Sequence, residues 1–425
     1  MKKRHSERRY KHLLEKDYQQ ALMAELALRF DFSKHSWICE TIVTKFDTMI
    51  ETWETSEGLH RLKPGELQLP YKDKMITIPL FTRKAAEVLM ETKLFPPYRS
   101  RVIDKVLSTI RAIDDTVSEA DVNALIYRRS LVPRCEKSIE LETLEMNPTY
   151  PLINPKKLSI DRPNILGEKI TLPCKIKDEL ISFCADNLGM KPFVATHALD
   201  LFLDLRARYL PLRTAVKPGQ LVWLGTSFKK SKKVGCVQLE RKQIPIILTL
   251  YTEEEIATIP QTLAELDQSM MQQLARVTTE AYLQEALLPA DELQLFFLRP
   301  YTFLGKLMRS YMETNKVILP TPGSILDAGT MFTHKELIID LSMEGYFTKE
   351  IAKKTCHDPK SVDSYLKTFN SVLVLWYYEL PEELIATVTE RGKSVIKQHL
   401  EIIKKYFPDR GAMKNYLNNR GYALG

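Results

Sequence analysis

Six small or apolar positions near the C-terminus recur at a constant offset of 34 residues: Ile351 and Ile385, Ala352 and Ala386, Thr355 and Thr389, Val362 and Ile396, Leu366 and Leu400, Phe369 and Ile403. Such a recurrence constrains the fold strongly, because the segment that ends the first copy must also begin the second. Within the first copy, Leu337, Ile338 and Leu341 give one apolar face to a helix that Gly345 can end with a positive backbone dihedral. Thr348 is an expected N-cap for the next helix, in which Ala352 is small enough to let a neighbour cross closely. Asp358 is an expected cap for the third helix, with Pro359 at its first position, where the missing N–H has no intrahelical partner anyway. Val362, Leu366 and Phe369 then repeat at i, i+4 and i+7 as a core-facing stripe.

The opposite face of that third helix offers Lys360, Ser361, Asp363, Ser364 and Lys367, polar groups suited to groove entry and phosphate contact. Ile351-Ala352, a short polar turn and Val362 match the spacing of helix-turn-helix regulators. One position departs from that pattern: Cys356 stands where a glycine is usual, so the turn is either built differently or strained. No proline or glycine interrupts the span from Pro359 to Tyr378, and Pro381 is the next breaker. The expectation is a tandem helix-turn-helix module of two trihelical units sharing one long helix. The second unit's candidate face is Lys393, Ser394, Lys397 and Gln398, followed by a basic tail.

A net charge of +7 in 425 residues suits a nucleic-acid partner without requiring one, so its location matters more. It concentrates between Lys2 and Lys16 and again from Arg391 onward, where eight Lys and Arg face only Glu401 and Asp409, and both segments suit non-specific phosphate contact. The N-terminal run reads equally well as a solvated charged face. Six scattered cysteines without a C-x-x-C pair suggest reduced thiols rather than a disulfide framework or a zinc ribbon. The basic N-terminus lacks an apolar core, and no apolar run approaches spanning length, so the chain is expected to be cytoplasmic.

Upstream, Leu13 to Trp53 reads as two helices, followed by Lys63-Pro64-Gly65-Glu66 and alternating runs such as Met75 to Ile78. A similar order returns downstream: a helix from about Val194 to Tyr209, then Lys217-Pro218-Gly219-Gln220, then strand-like Leu221 to Leu224 and Pro245 to Leu250. Pro64 and Pro218 are 154 residues apart, whereas Leu80 and Leu250 are 170 apart, and the surplus fits a hairpin insertion around Lys229 to Lys233. This suggests duplication of a helix-then-strands unit, although Pro-Gly turns alone can produce the same signature. The expected organisation is an α/β region over residues 1–146, a proline-rich linker over 147–173, a second helix-strand unit with a helical connector over 174–320, and the DNA-binding module over 321–425. The fold class is mainly α with small β additions.

The chain has no phosphate-cradling glycine loop and no metalloprotease or nucleophile-elbow motif, so catalytic residues are not assigned and no cofactor or metal is expected. Asp114, Asp115, Glu119 and Asp121 could converge on a divalent ion, but Ser118 capping a helix with an acidic first turn accounts for them more simply. Asp327, His334 and His357 read as hydrogen-bonded groups beside helix caps, and Arg128, Arg129 and Arg134 as a helix end and basic loop. Tyr365 lies on the core stripe, which argues against a tyrosine nucleophile.

Leu319-Pro-Thr-Pro-Gly-Ser-Ile-Leu-Asp-Ala-Gly, Thr333-His-Lys, Glu350-Ile-Ala and the run from His357 to Phe369 together resemble a prokaryotic family catalogued only as a domain of unknown function. The resemblance extends over most of the chain, including the Lys217-Pro-Gly-Gln region, and implies a helix-turn-helix protein often found near mobile elements. It brings no activity and no catalytic residues. The expected function is sequence-specific binding of duplex DNA, as a transcriptional regulator or accessory factor of a mobile element, with a homodimer as a further partner. The alternatives are a DNA-processing enzyme such as a transposase or nuclease, and a protein-interaction scaffold.

Overall fold

The computed structural model describes the chain apart from residues 1–9, 11, 33–34, 93–94, 128–149, 159, 161–169, 229–241, 259, 327–334, 356–358 and 423–425. The described residues are mostly helical, with one small antiparallel sheet. The chain divides into two compact units, one of residues 1–142 and 152–321, the other of 143–151 and 322–425.

The first unit opens with a 3-10 turn, His12–Glu15, followed by helices α1 (Tyr18–Phe30) and α2 (Ser36–Ser56). Strands β1 (Glu66–Tyr71) and β2 (Lys74–Pro79) form a hairpin, and α3 (Arg83–Thr92), α4 (Phe95–Arg111) and α5 (Glu119–Tyr127) follow. The order then returns: α6 (Cys174–Leu188), α7 (Pro192–Tyr209), β3 (Gln220–Ser227), β4 (Gln243–Thr249), α8 (Glu253–Ala257) and α9 (Leu263–Leu283). A two-residue strand β5 (Ala286–Leu287) and helices α10 (Ala290–Phe297) and α11 (Tyr301–Asn315) complete the unit.

The sheet order is β2-β1-β3-β4, and the contact between the two hairpins carries the clearest sign of duplication. β1 and β3 pair antiparallel with Leu67 opposite Leu221, its own counterpart 154 residues later. The surrounding bonds repeat about that pair: Gly65 N–H donates to Val222 O at 2.7 Å and Gly219 N–H to Gln68 O at 2.7 Å. Each glycine carbonyl then accepts from the strand that returns, from Leu80 at 2.8 Å and from Leu250 at 2.9 Å. A turn preference alone does not produce this reciprocity. The glycines are obligatory for a second reason as well: both have positive φ, and a Cβ at Gly219 would stand 1.9 Å from Tyr251 O. The two helix-strand regions therefore share one sheet and one compact unit, while the insertion around Lys229 to Lys233 lies outside the described residues.

Above the sheet, α1 packs on α2 and α7, and α6 on α7 and α2, burying Leu22, Leu26, Ile42, Phe46, Leu180, Leu199 and Phe202. Phe46 and Phe202, one from each half, meet edge to face at 5.4 Å. Arg206 crosses the same interface fully buried, donating from Nε to Asp47 Oδ1 at 2.8 Å and from Nη1 to Glu54 Oε2. Arg61 donates to the other oxygen of Glu54 at 2.7 Å, and Tyr18 OH donates to Asp47 Oδ2 at 2.6 Å. Every oxygen of the two buried carboxylates thus has a donor, the condition under which buried charge is tolerable.

The outer strand β4 is protected by side chains of α9 rather than by another strand. The Gln284 amide forms two bonds with Ile247, Nε2 to O at 2.7 Å and N to Oε1 at 3.0 Å. Glu280 accepts the Thr249 N–H, and Arg276 donates to the Thr249 and Leu250 carbonyls. Nothing in the spacing of α9 announces this role. In the proline-rich stretch, the described part is a strap: Ile153 N–H donates to Ile318 O at 2.9 Å before a 3-10 turn at Pro155–Leu158.

The second unit is helical: α12 (Pro322–Leu326), α13 (Lys335–Met343), α14 (Thr348–Thr355), α15 (Pro359–Tyr377), α16 (Glu382–Val388), α17 (Lys393–Tyr406) and α18 (Arg410–Asn419). Adding 34 to the starts of α14 and α15 gives the starts of α16 and α17. Backbone details recur at the same offset. After α13, Gly345 has φ +93° and Tyr346 N–H donates to Leu341 O; after α15, Glu379 has φ +60° and Leu380 N–H donates to Leu375 O. These are equivalent C-terminal caps, although the second lacks glycine. Cys356 is outside the described residues, but its counterpart Glu390 has φ +54°, the left-handed conformation anticipated for that turn.

Helix α15 serves two cores. Its Val362 packs with Ile338, Ile351 and Ala352, whereas Phe369, Val372, Leu373 and Tyr377 pack with Ile385, Ile396, Leu400 and Ile403. One expected contact differs. Thr348 is the first residue of α14, and its hydroxyl donates to Asp363 Oδ1 at 2.9 Å; Glu350 accepts the Phe347 N–H at 2.9 Å instead. The sequence after Arg391 is not a loose basic tail but α17 and α18, the latter packed on α15.

Candidate functional site

The exposed side of α15 forms one wall of an open groove of about 720 Å³. Lys360, Asp363, Ser364, Lys367, Thr368 and Ser371 line that wall because a helix with Val362, Phe369, Val372 and Leu373 inward must turn these positions outward. Val388, Thr389 and Arg391, from the end of α16 and the turn after it, line the opposite wall, with Val374, Leu375 and Tyr422 also in contact. Arg391 Nη2 donates to Thr368 Oγ1 at 3.4 Å across the groove.

Four of the five residues expected on the first face meet there: Lys360, Asp363, Ser364 and Lys367, all exposed. The fifth, Ser361, falls among side chains outside those described, as does Ser394 of the second face. Asp363 accepts the Thr348 hydroxyl, so part of its role is to join α14 to α15. On the second face, Lys393 is exposed and pairs with Glu383 at 3.2 Å, Lys397 is exposed and Gln398 half-buried; none of the three lines the groove. Of the other late cations, Lys405 pairs with Asp340 at 3.5 Å and Arg410 with Glu379 at 3.1 Å, so much of that charge is balanced within the unit.

Arg391, Thr368, Ser371 and Thr389 were not expected as site residues. The helical stripe does extend from Lys360, Ser364 and Lys367 to Ser371, so the first wall was readable; the second wall depends on where the α16 turn lands, which no local pattern reveals.

The acidic cluster resolves into caps. Ser118 Oγ accepts the Asp121 N–H at 3.2 Å, and Asp121 accepts the Ser118 N–H and hydroxyl at 2.8 and 2.6 Å, which holds its carboxyl below the ordinary range. Asp114 accepts from Lys72, from Thr116 Oγ1 at 2.6 Å and from Tyr71 at 3.1 Å; the Lys72 bond is the leading reason its carboxyl titrates well below normal. Tyr365 packs against the Ile338–Val362 core. Asp327, His334, His357, Arg128, Arg129 and Arg134 lie outside the described residues.

Two features of the first unit have site-like chemistry but weaker claims. A cleft of about 600 Å³ is lined by Lys63, Arg83 and Lys105, yet also by Asp17 and Glu66, and Lys63 is bonded to Glu51 at 3.0 Å. A buried cluster joins Lys16 to Glu292 at 2.7 Å and His12 to Asp291 at 2.9 Å, with Trp223 Nε1 donating to Glu292 at 2.7 Å. Burial disfavours charged His12, but Asp291 outweighs it and raises the imidazole pKa. Lys16 and Glu292 have no exposed side-chain surface, so this cluster clamps the N-terminal turn to the sheet and Lys16 is no part of a solvated basic face.

Residues 194–402, from within α7 to within α17, match the model of a family whose activity has not been assigned. Its model is described as Protein of unknown function (DUF1670). The match covers the second helix-hairpin copy and the groove residues from Lys360 to Arg391. No curated protein and no solved structure matches the chain. Among the described residues, no helix is long and apolar enough to cross a membrane.

Proposed function

We propose that the C-terminal unit is a tandem helix-turn-helix module that binds duplex DNA sequence-specifically, and that the protein acts in the cytoplasm as a transcriptional regulator or accessory factor of a mobile element. The observation that carries this reading is the exposure of Lys360, Ser364 and Lys367 together on α15, whose other face is locked into two cores. A recognition helix needs that combination: a rigid position and short or flexible polar groups on the first turns to reach base edges. The recurrence at 34 residues supports the reading, since α17 stands in the second copy where α15 stands in the first. With two such helices in one chain, contacts to two stretches of groove need no homodimer.

Selection of bound duplexes from a random pool by the full-length protein identifies the preferred site. Replacing Lys360 and Ser364 by alanine is then expected to weaken binding to that site by about 1–3 kcal/mol for each base-edge hydrogen bond removed, with thermal stability nearly unchanged because both side chains are exposed. Wild-type affinity in the double variant removes α15 from the DNA groove.

A further inference from the structure

We infer that the groove between α15 and the turn after α16 holds one sugar–phosphate strand of the duplex, with Arg391 as its phosphate-binding residue. This rests on reading the C-terminal unit as a DNA binder and singles out, by geometry, one phosphate-binding residue from a basic segment that the sequence treats as a whole. Shape comes first. A concave surface cannot enter a groove of DNA; it receives a convex ridge, and the ridges of a duplex are its backbones. Lys360 and Ser364 line the same groove at the N-terminal end of α15, where base readout is placed, and backbone contact is placed further along it, at Lys367 and Arg391.

The lining has the chemistry of a phosphate track. Lys367 and Arg391 line the groove together with Thr368, Ser371 and Thr389. The Thr368 and Thr389 hydroxyls already donate to Ser364 O at 2.9 Å and Ile385 O at 2.7 Å, so the two cations carry the phosphate contact. Arg, Lys, Ser and Thr supply most side-chain contacts to DNA phosphates. Arg391 commits one hydrogen bond to Thr368, at 3.4 Å, out of the five N–H donors of a guanidinium. That bond pre-positions the side chain over the channel and reduces the ordering needed when a bidentate phosphate contact forms. Among the described residues Asp363 is the one carboxylate in the lining, and it already accepts the Thr348 hydroxyl. Val388 and Leu375 supply apolar surface against which deoxyribose can rest.

The test uses the full-length protein and the duplex obtained by selection, with affinity measured across a range of salt. One phosphate contact fewer is expected to reduce the magnitude of the slope of log K against log salt by about 0.9. Arg391→Gln should show that reduction and weaken binding to selected and unrelated duplexes by the same factor. Arg391→Lys, which keeps the charge, should restore most of the slope. Three results overturn the inference: an unchanged slope in Arg391→Gln at wild-type affinity; a change in base preference at one position, which makes Arg391 a base reader; or tighter binding of single-stranded nucleic acid or an acidic peptide than of duplex. Failure of the wild-type protein to bind any duplex removes the underlying reading, and with it the inference; normal binding with an unaltered Arg391→Gln slope removes the inference alone.

Discussion

Replacing Arg206 by methionine should lower the stability of the first unit by about 3–5 kcal/mol, because Asp47 and Glu54 would remain buried without the cation that joins them. The volume is nearly conserved, so the loss reports charge rather than a cavity. A pH series separates the two. In the intact protein burial opposes the Asp47 carboxylate, but hydrogen bonds from Tyr18 and Arg206 and the Arg206 charge outweigh it and leave the pKa lowered. A lowered folded-state pKa contributes stability that is present above the unfolded value of about 4 and lost as pH falls through the folded value. The intact protein should therefore lose stability below that range. In the variant burial of Asp47 is no longer offset by the Arg206 charge and hydrogen bond, so the difference between the two proteins should narrow as pH falls. Urea unfolding followed by tryptophan fluorescence is suitable, since Trp37, Trp53 and Trp223 lie in this unit. A difference independent of pH would show that packing, not charge, dominates.

Phe369→Ala is expected to cost about 3–5 kcal/mol and to weaken duplex binding as well, although the ring is turned away from the proposed DNA-facing side of the helix. Phe369 is fully buried in the core with Val372, Ile385 and Leu400. It sits seven residues beyond Val362, which belongs to the neighbouring core on the same helix. Loosening one end of α15 should thus disturb the face at the other end, and Leu400→Ala, at 7% exposure on α17, should act in the same direction with about 2–5 kcal/mol. Calorimetric unfolding and affinity for the selected duplex check both. Native proteolysis between Phe369 and Leu380 that leaves two folded halves would break the shared-helix model.

Legibility in the sequence followed the range of the interactions. The Gly345 stop after α13, the apolar stripe and the uninterrupted span of α15 are local, and the helix start at Pro359 agrees with the expected one, while the expected Asp358 cap lies outside the described residues. The 154-residue duplication was visible as Lys-Pro-Gly written twice, but only strand pairing separates it from two similar turns, since Leu67 lies opposite Leu221. Long-range partners left no mark. Lys16 looked like part of a basic run and lies buried against Glu292. Gln284 carries no local signal of its role and covers the edge of β4. Thr348 looked like a cap and holds Asp363. In each case a polar side chain has several possible partners, and the fold chooses one far away in sequence. The same limit hid Arg391, which counts as one more charge in a basic segment until the α16 turn brings it beside Thr368.

That the C-terminal unit binds DNA is tested most directly by titrating the full-length protein into a labelled random-sequence duplex at several salt concentrations. Any helix-turn-helix protein shows non-specific affinity, with Kd of about 10⁻⁴–10⁻⁶ M at physiological salt, that tightens steeply as salt falls. The expected result is that behaviour in the wild-type protein, together with a weaker salt response in Lys367→Ala and Arg391→Gln. No binding at low salt by a folded protein would contradict DNA binding by this unit.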